Sequence, residues 1–236
     1  MRSIIKYIGF GIYMLLSMFK RSKLEKLKDQ GKEEEAKQYL YFKVRDWAKA
    51  ILKSVGAEVE IKGKENIPKE ACLFVSNHQG ALDIPIILAN SDRTIGFIAK
   101  KELLKYKFLS YWCKEMNCVF MDRENIREAV KSIDQGVEYL KNGSSLLIFP
   151  EGTRSKGPKV GEFKKGSIKL GLKAGKPIVP VTISGSYLLR EANSGWKFKR
   201  GKVKLTYGKA IDPTTLDRKQ QRELTDKIRE TIIENL

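Results

Sequence analysis

The chain has 236 residues, of which 42% are hydrophobic and 31% charged, so a largely disordered or low-complexity chain is excluded. Lysine and arginine number 46 against 28 acidic residues, and the net charge of +18 predicts a polyanionic partner. Nucleic acid, an anionic membrane surface and phosphorylated substrates are the candidates. Three cysteines without a C-x-x-C pair argue against a disulfide scaffold or a zinc site, and they favour a reducing compartment.

The first predicted element is the uncharged run over residues 7–19, with Lys6 before it and Lys20 after it. As a helix it covers about 20 Å, which is short of the ~30 Å hydrocarbon core of a bilayer. No small-residue cleavage site follows, so a signal peptide is not favoured. We interpret the run as a helix that lies in one leaflet of a membrane.

A second helix follows, and its apolar stripe allows two interpretations. The stripe could pack on the protein core, or it could belong to a membrane-binding helix rich in interfacial aromatic and basic side chains. The preceding apolar run favours the second interpretation. We therefore predict an N-terminal helical membrane-association segment over residues 1–55 and an α/β domain over residues 56–236. The stripe consists of Leu40, Val44, Trp47, Ala48, Ile51, Leu52 and Val55.

Beyond residue 56, buried strands alternate with helices. Apolar runs predict strands over residues 72–76, 95–99, 118–121, 145–149 and 178–183, and an alternating edge strand over 203–207. Periodic stripes predict helices over 126–140, 168–174 and 224–232, and Asp83 marks another helix start. This order predicts an α/β fold with a mixed, largely parallel sheet covered by helices.

The single histidine, His78, precedes Asp83 by five residues. On a continuous helix the two side chains would lie roughly 140° apart, so they meet only if the chain turns between them. Gly80 gives the backbone that freedom. Asp83 could then accept a hydrogen bond from one ring nitrogen and leave the other free as a general base. The alternative is an incidental loop histidine beside a helix N-cap.

Two further strings follow predicted strands. Residues 146–155 read LLIFPEGTRS, in which Gly152 permits close backbone approach to a ligand, and Thr153 and Arg154 are donors suited to a phosphate or an oxyanion. Arg123 follows the strand of the string CVFMDR, at the edge of the sheet where ligands often bind. The alternatives are a surface turn and a surface salt bridge.

Other catalytic and binding motifs are absent from the sequence. We find no G-x-S-x-G elbow, no Walker A loop, and no G-x-G-x-x-G after a strand, so hydrolase and nucleotide chemistry lack local support. Zinc-finger spacing and RNA-recognition aromatic motifs are also absent, and we expect no nucleic-acid partner.

Together, the strings resemble the glycerophospholipid acyltransferase family. Its four blocks occur in order as N-H-x-x-x-x-D at residues 77–83, VFMDR ending at Arg123, FPEGTR at 149–154 and IVPVTI at 178–183. Lys100, in the string AKKEL, fits a lysine that the family often carries. The chain departs from the family where Gly80 replaces a frequent serine, and where the second block lacks its usual opening glycine.

The resemblance implies transfer of an acyl chain from acyl-CoA or acyl-acyl carrier protein to the sn-2 hydroxyl of lysophosphatidic acid. No metal or organic cofactor is implied. His78 and Asp83 would be the catalytic residues. Glu151 would bind the glycerol hydroxyl or anchor Arg123. The implied substrate-binding residues are Lys100, Arg123, Glu151, Gly152, Thr153 and Arg154.

The remaining expectations concern location and rival functions. We expect a peripheral or monotopic protein on the cytoplasmic side of the cell membrane, in contact with an anionic membrane surface. Acylation of glycerol 3-phosphate or of another lysophospholipid is the alternative within this chemistry. A non-catalytic, basic membrane-binding protein is the alternative from a different class.

Overall fold

The structure of the protein, a computed structural model, describes residues 21–122, 124–194 and 197–236. Two predicted features lie outside the described residues: the apolar run over residues 7–19 and the side chain of Arg123. The residues 21–29 are helical and are followed by the first complete helix.

Seven strands of the described chain form one mixed sheet in the order β1-β7-β6-β2-β5-β3-β4. The five strands from β6 to β4 run parallel, whereas β7 is antiparallel to β6 and parallel to β1. The predicted α/β fold with a mixed, largely parallel sheet is confirmed. The strands are β1 (Ala57–Lys62), β2 (Leu73–Ser76), β3 (Ile95–Lys100), β4 (Val119–Met121), β5 (Ser145–Ile148), β6 (Ile178–Ser184) and β7 (Gly201–Tyr207).

Helices cover both faces of this sheet. Leu73 and Val75 of β2 join the core beneath α4, α5 and α6, while Phe74 between them joins the core beneath α1, α2 and α3. This alternation is the period of two that a strand buried on both faces must have. The helices are α1 (Glu33–Val55), α2 (Asp83–Asn90), α3 (Lys107–Glu115), α4 (Ile126–Lys141), α5 (Lys169–Ala174) and α6 (Arg218–Glu234).

The apolar stripe of α1 packs on the core. Ala48 is fully buried, and Leu40, Val44, Leu52 and Val55 are each less than 10% exposed where the helix packs on α2. Of the two interpretations of this stripe, core packing describes what the side chains do. Membrane association of residues 1–55 stays a prediction. No helix in the described part of the chain combines the length and the hydropathy needed to cross a bilayer.

The prediction of an edge strand over residues 203–207 is wrong. This strand, β7, lies between β6 and β1, and its register with β1 pairs Val203 with Val59. The edge strand at this end of the sheet is β1. The sequence analysis missed it because half of its residues, AEVEIK, are charged, so they form no apolar run. The alternation in β7 comes from Lys202, Lys204 and Thr206 on one face, of which Lys202 is exposed. An interior strand near the end of a sheet can carry such a polar face.

The carboxyl ends of the five parallel strands meet at one edge of the sheet, which we call the carboxyl edge. The connections that leave β2, β3, β5 and β6 there begin at residues 77, 101, 149 and 185. Ligands of open α/β sheets bind at this edge. The sequence blocks singled out above therefore converge at one place.

Candidate active site

The chain turns between His78 and Asp83 as predicted. β2 ends at Ser76, and α2 begins at Asp83, so residues 77–82 form the connecting turn. His78 Nδ1 lies 2.7 Å from Asp83 Oδ2, and the Asp83 side chain is completely buried. Because a carboxylate is an acceptor, this contact fixes the tautomer in which Nδ1 carries the proton.

Two more donors hold the Asp83 carboxylate. The Gly80 N–H donates to Oδ2 at 2.8 Å, and the Ser186 hydroxyl donates to Oδ1. Ser186 is fully buried in the short helical turn that follows β6, and Gln79 Oε1 accepts from the neighbouring Gly185 N–H at 2.9 Å. Burying a carboxylate is costly unless such partners replace its lost hydration.

Ser186 is a site residue that the sequence analysis missed. It comes close to Asp83 only because β6 pairs directly with β2. That pairing joins segments more than 100 residues apart, and no local pattern encodes it. The only available signal was a hydroxyl residue just after the fourth family block.

The His78 ring lies in a partly open position. It stacks on Phe149, with ring centroids 4.0 Å apart and planes tilted by 16°, and 18% of the side chain is exposed. The two residues are neighbours because β2 pairs with β5. Within the described part of the chain, Nε2 has no hydrogen-bond partner and is free to meet a substrate.

Glu151 connects this turn to the loop that follows β5. Its Oε1 accepts the His78 N–H at 2.7 Å, and its Oε2 accepts the Gly161 N–H at 2.8 Å. Burial raises the pKa of this carboxyl, and the two amide hydrogen bonds act in the opposite direction. Both oxygens therefore hold backbone, a role that the sequence did not suggest. Its predicted contacts with a glycerol hydroxyl or with Arg123 stay predictions.

Residues 152–154, which we call the GTR segment, lie beside the turn over residues 77–82, which we call the catalytic turn. Gly152 has a φ of +70°, which favours glycine, and a Cβ there would lie 3.1 Å from Lys164 Nζ. Thr153 is exposed. Arg154 is 40% exposed at its side chain, and its Nη1 lies 3.3 Å from Glu191 Oε1. Beyond it, the Ser155 N–H donates to the His78 carbonyl at 2.8 Å, which ties the segment to the turn.

Lys100 is exposed at the end of β3, on the same edge but farther away. β5 separates β3 from β2, so Lys100 lies about 10 Å from the catalytic turn across the sheet. Its neighbour Lys101 instead pairs with Asp122 at 2.6 Å. The structure thus brings five predicted residues together and leaves Lys100 at the rim. The five are His78, Asp83, Glu151, Gly152 and Arg154.

The arrangement is suited to general-base chemistry on a substrate hydroxyl. Cys72, Cys113 and Cys118 are all buried, and burial raises the pKa of Cys72 to about 11, so that thiol stays protonated at neutral pH. An oriented imidazole with one free nitrogen can take a proton from a hydroxyl that approaches along the carboxyl edge.

The comparison with known proteins agrees with this chemistry. A family model described as Acyltransferase matches residues 58–184, which is more than half of the chain. The matched range includes the GTR segment and the pair of His78 and Asp83, which we call the dyad. The chain belongs to the acyltransferase family. The prediction that it is an O-acyltransferase is confirmed at the level of the family.

Individual relatives of the acyltransferase carry a common name. This chain is 31% identical over 201 residues to the 1-acyl-sn-glycerol-3-phosphate acyltransferase of Borreliella burgdorferi. The match covers 83% of this chain and 78% of the relative. The chain is 42% identical over 136 residues to the probable enzyme of that name from Mycoplasma pneumoniae, covering 56% of this chain. That second match spans 51% of the relative, or about half of its length.

A solved structure shows the same fold. The acyltransferase superposes with a TM-score of 0.86 on the crystal structure of the 1-acyl-sn-glycerophosphate acyltransferase PlsC from Thermotoga maritima. Sequence identity is 31%, and the match covers 99% of this chain and 92% of the other. The similarity therefore includes the elements outside the matched family model.

Proposed function

We propose that the protein transfers an acyl chain from a thioester to the sn-2 hydroxyl of 1-acyl-sn-glycerol 3-phosphate, forming phosphatidic acid. The observation that carries the proposal is the buried Asp83 carboxylate, 2.7 Å from His78 Nδ1, with Nε2 open at the carboxyl edge. The names of the relatives support the choice of acceptor.

In the proposed reaction, His78 Nε2 removes the proton of the sn-2 hydroxyl while the oxygen attacks the thioester carbonyl. Asp83 stabilises the imidazolium that forms, as a buried carboxylate does in other histidine-dependent acyl transfers. The tetrahedral intermediate collapses, the carbon–sulfur bond breaks, and the thiolate takes the proton back from Nε2. No covalent acyl-enzyme is required.

The tetrahedral oxyanion needs hydrogen-bond donors that are free when it forms. The amides of His78, Gly80 and Gly152 already donate, to Glu151 Oε1, to Asp83 Oδ2 and to the Phe149 carbonyl respectively. The Gln79 N–H, in the same turn, has no partner in the described part of the chain. We propose it as an oxyanion donor in preference to those three amides.

Cations at the carboxyl edge would hold the acceptor phosphate. Arg154 is partly exposed and has a planar guanidinium, which can contact a phosphate through two parallel hydrogen bonds. We propose that Gly152 and Thr153 bind the acceptor beside Arg154, and that Lys100 and Arg123 are further cations for its phosphate. Arg123 is included because of its position in the sequence alone.

Acyl-CoA or acyl-acyl carrier protein would supply the acyl chain, and the acceptor would be reached from an anionic membrane surface on the cytoplasmic side. The net charge of +18 supports attraction to both anionic partners. Exposed lysines on the outer face of α1, among them Lys49 and Lys53, support the membrane contact. We propose no nucleic-acid partner.

The test is product identification with matched variants. Purified protein is mixed with vesicles that contain a panel of lysolipids and with either acyl-CoA or acyl-acyl carrier protein. The products are identified by mass spectrometry. We expect phosphatidic acid, and we expect His78→Ala to lower turnover by about 10²–10⁴-fold because the base is lost.

The control is Lys141→Ala, an exposed position at the far end of α4, which should leave turnover unchanged. Near-normal turnover by His78→Ala would refute the mechanism. Preferential acylation of glycerol 3-phosphate or of a neutral lysolipid would refute the assigned acceptor.

A further inference from the structure

Glu191 is a carboxylate whose burial neither the dyad nor the sequence blocks explain. It follows the short helical turn Ser186–Leu189 at the carboxyl edge, and only 6% of its side chain is exposed. A charged group on a connecting loop is normally solvated, and removing it from water is costly unless partners compensate.

The compensation at Glu191 is one-sided. Oε1 accepts the Ala81 N–H at 2.8 Å and lies 3.3 Å from Arg154 Nη1 and 3.7 Å from Arg190 Nη1. Oε2 is buried and has no hydrogen-bond partner in the described part of the chain. One oxygen therefore carries three contacts while the other carries none.

Gly80 makes this arrangement sterically allowed. A Cβ at residue 80 would lie 2.6 Å from Glu191 Oε2, which is closer than real Cβ contacts come. The position where this chain departs from the frequent serine of its family is thus the position that the Glu191 carboxylate crowds. The departure and the buried carboxylate belong to one local arrangement.

We propose that Glu191 restrains Arg154 at the catalytic turn and competes with the acceptor phosphate for its guanidinium. The proposal rests on the proposed function, in which Arg154 binds that phosphate. Among the described residues the guanidinium makes a single ion-pair contact, at 3.3 Å, and 40% of the Arg154 side chain is exposed. A phosphate offers two parallel contacts to the same guanidinium and is the stronger partner.

Competition between Glu191 and the phosphate for Arg154 predicts the direction in which the KM for the acceptor changes. Glu191→Gln keeps an oxygen for the Ala81 N–H but removes the charge that competes for Arg154. We expect the KM for the phosphorylated acceptor to fall about two- to fivefold, the range of a partly exposed ion pair. The KM for the donor and kcat should stay nearly unchanged. Inorganic phosphate should inhibit the variant more strongly by a similar factor.

Two control variants test whether the change in KM comes from the loss of the Arg154 contact. The alternatives are a change in the net charge of the protein and a change in its fold. Glu162→Gln makes the same change in net charge at an exposed carboxylate that forms no ion pair within the described residues, and it should not move the acceptor KM. In an Arg154→Ala background, Glu191→Gln should lose most of its effect. Thermal melting checks that each variant folds.

The proposal is overturned if Glu191→Gln leaves the acceptor KM unchanged or raises it. It is also overturned if the gain is equally large in the Arg154→Ala background, because simple repulsion between carboxylate and phosphate then accounts for it. If the Gln variant does not fold, Glu191→Asp withdraws the carboxylate from Arg154 and must give the same fall. Absence of acyl transfer by the unmodified protein would instead refute the proposed function.

Discussion

Arg154 is held at the site but not fixed there. Within the part of the chain that the structure describes, its guanidinium makes one ion-pair contact, at 3.3 Å. The side chain is 40% exposed, on the edge of the sheet where the His78 ring is partly exposed. A side chain in this state can reorient toward a ligand while the Ala81 N–H and Arg190 stay beside the buried Glu191 carboxylate. Buried ion pairs do not have that freedom, since separating them leaves an uncompensated charge.

We therefore expect Arg154→Ala to impair use of the acceptor far more than use of the donor. Losing charge-assisted hydrogen bonds to a phosphate corresponds to about a 10- to 100-fold fall in kcat/KM for the acceptor. Arg154→Lys should restore only part of it, because lysine lacks the planar fork. Steady-state kinetics with one substrate varied at a time provide the measurement. Equal use of a neutral monoacylglycerol by the unmodified protein would contradict the assignment.

At the scale of elements, α1 belongs to the fold as much as any helix after it. Its 23 residues carry a continuous buried stripe, and it ends at Val55. The next residue, Gly56, has a φ of +73° and forms a left-handed cap. The amphipathic pattern of the sequence describes this stripe correctly. It cannot say whether protein or lipid covers the stripe, since both are apolar.

Leu52→Ala decides which of the two covers the stripe. Leu52 is 6% exposed, and truncating a buried leucine lowers the free energy of unfolding by about 2–5 kcal/mol. Denaturant titration without lipid should show that loss, and exposed Lys53→Ala should show almost none. Unchanged stability together with weaker vesicle binding would mean that the stripe faces the membrane.

The sequence predicted elements best where a single pattern suffices. The α4 stripe, the buried strands and the helix start at Asp83 follow from local periodicity and turn chemistry. Glu191 and Ser186 could not be found that way, because their positions depend on β6 lying beside β2. The edge strand β1 was missed because it lacks an apolar pattern. It pairs with β7 at the edge of the sheet, and most of its side chains are in solvent.

At the scale of the whole molecule, we propose that charge and the N-terminal run act together. An apolar segment of 13 residues in a strongly basic chain would combine hydrophobic insertion with attraction to anionic headgroups. Either contribution alone gives weak, reversible binding. The proposed membrane segment over residues 1–55 relies on both.

Deleting residues 1–20 should separate these contributions. We expect weaker co-sedimentation with anionic vesicles and lower activity on a vesicle-embedded acceptor, because the inserting segment is gone. Activity on a detergent-dispersed, short-chain acceptor should largely survive, since the family blocks all lie after residue 76. If the truncated protein sediments like the full chain, the segment is not the anchor. If it unfolds, the run belongs to the core.

In the proposed reaction, the reversed direction of β1 and β7 would affect how far a lipid acceptor has to travel. Because β1 runs opposite to β2, the end of α1 and the start of β1 lie on the same edge of the sheet as His78. Three strand spacings separate them, or about 15 Å. A bilayer that meets the end of α1 is thus within half a bilayer core of the imidazole. A lysolipid could then present its hydroxyl while its acyl tail is still solvated by neighbouring lipids, so extraction into water need not limit turnover.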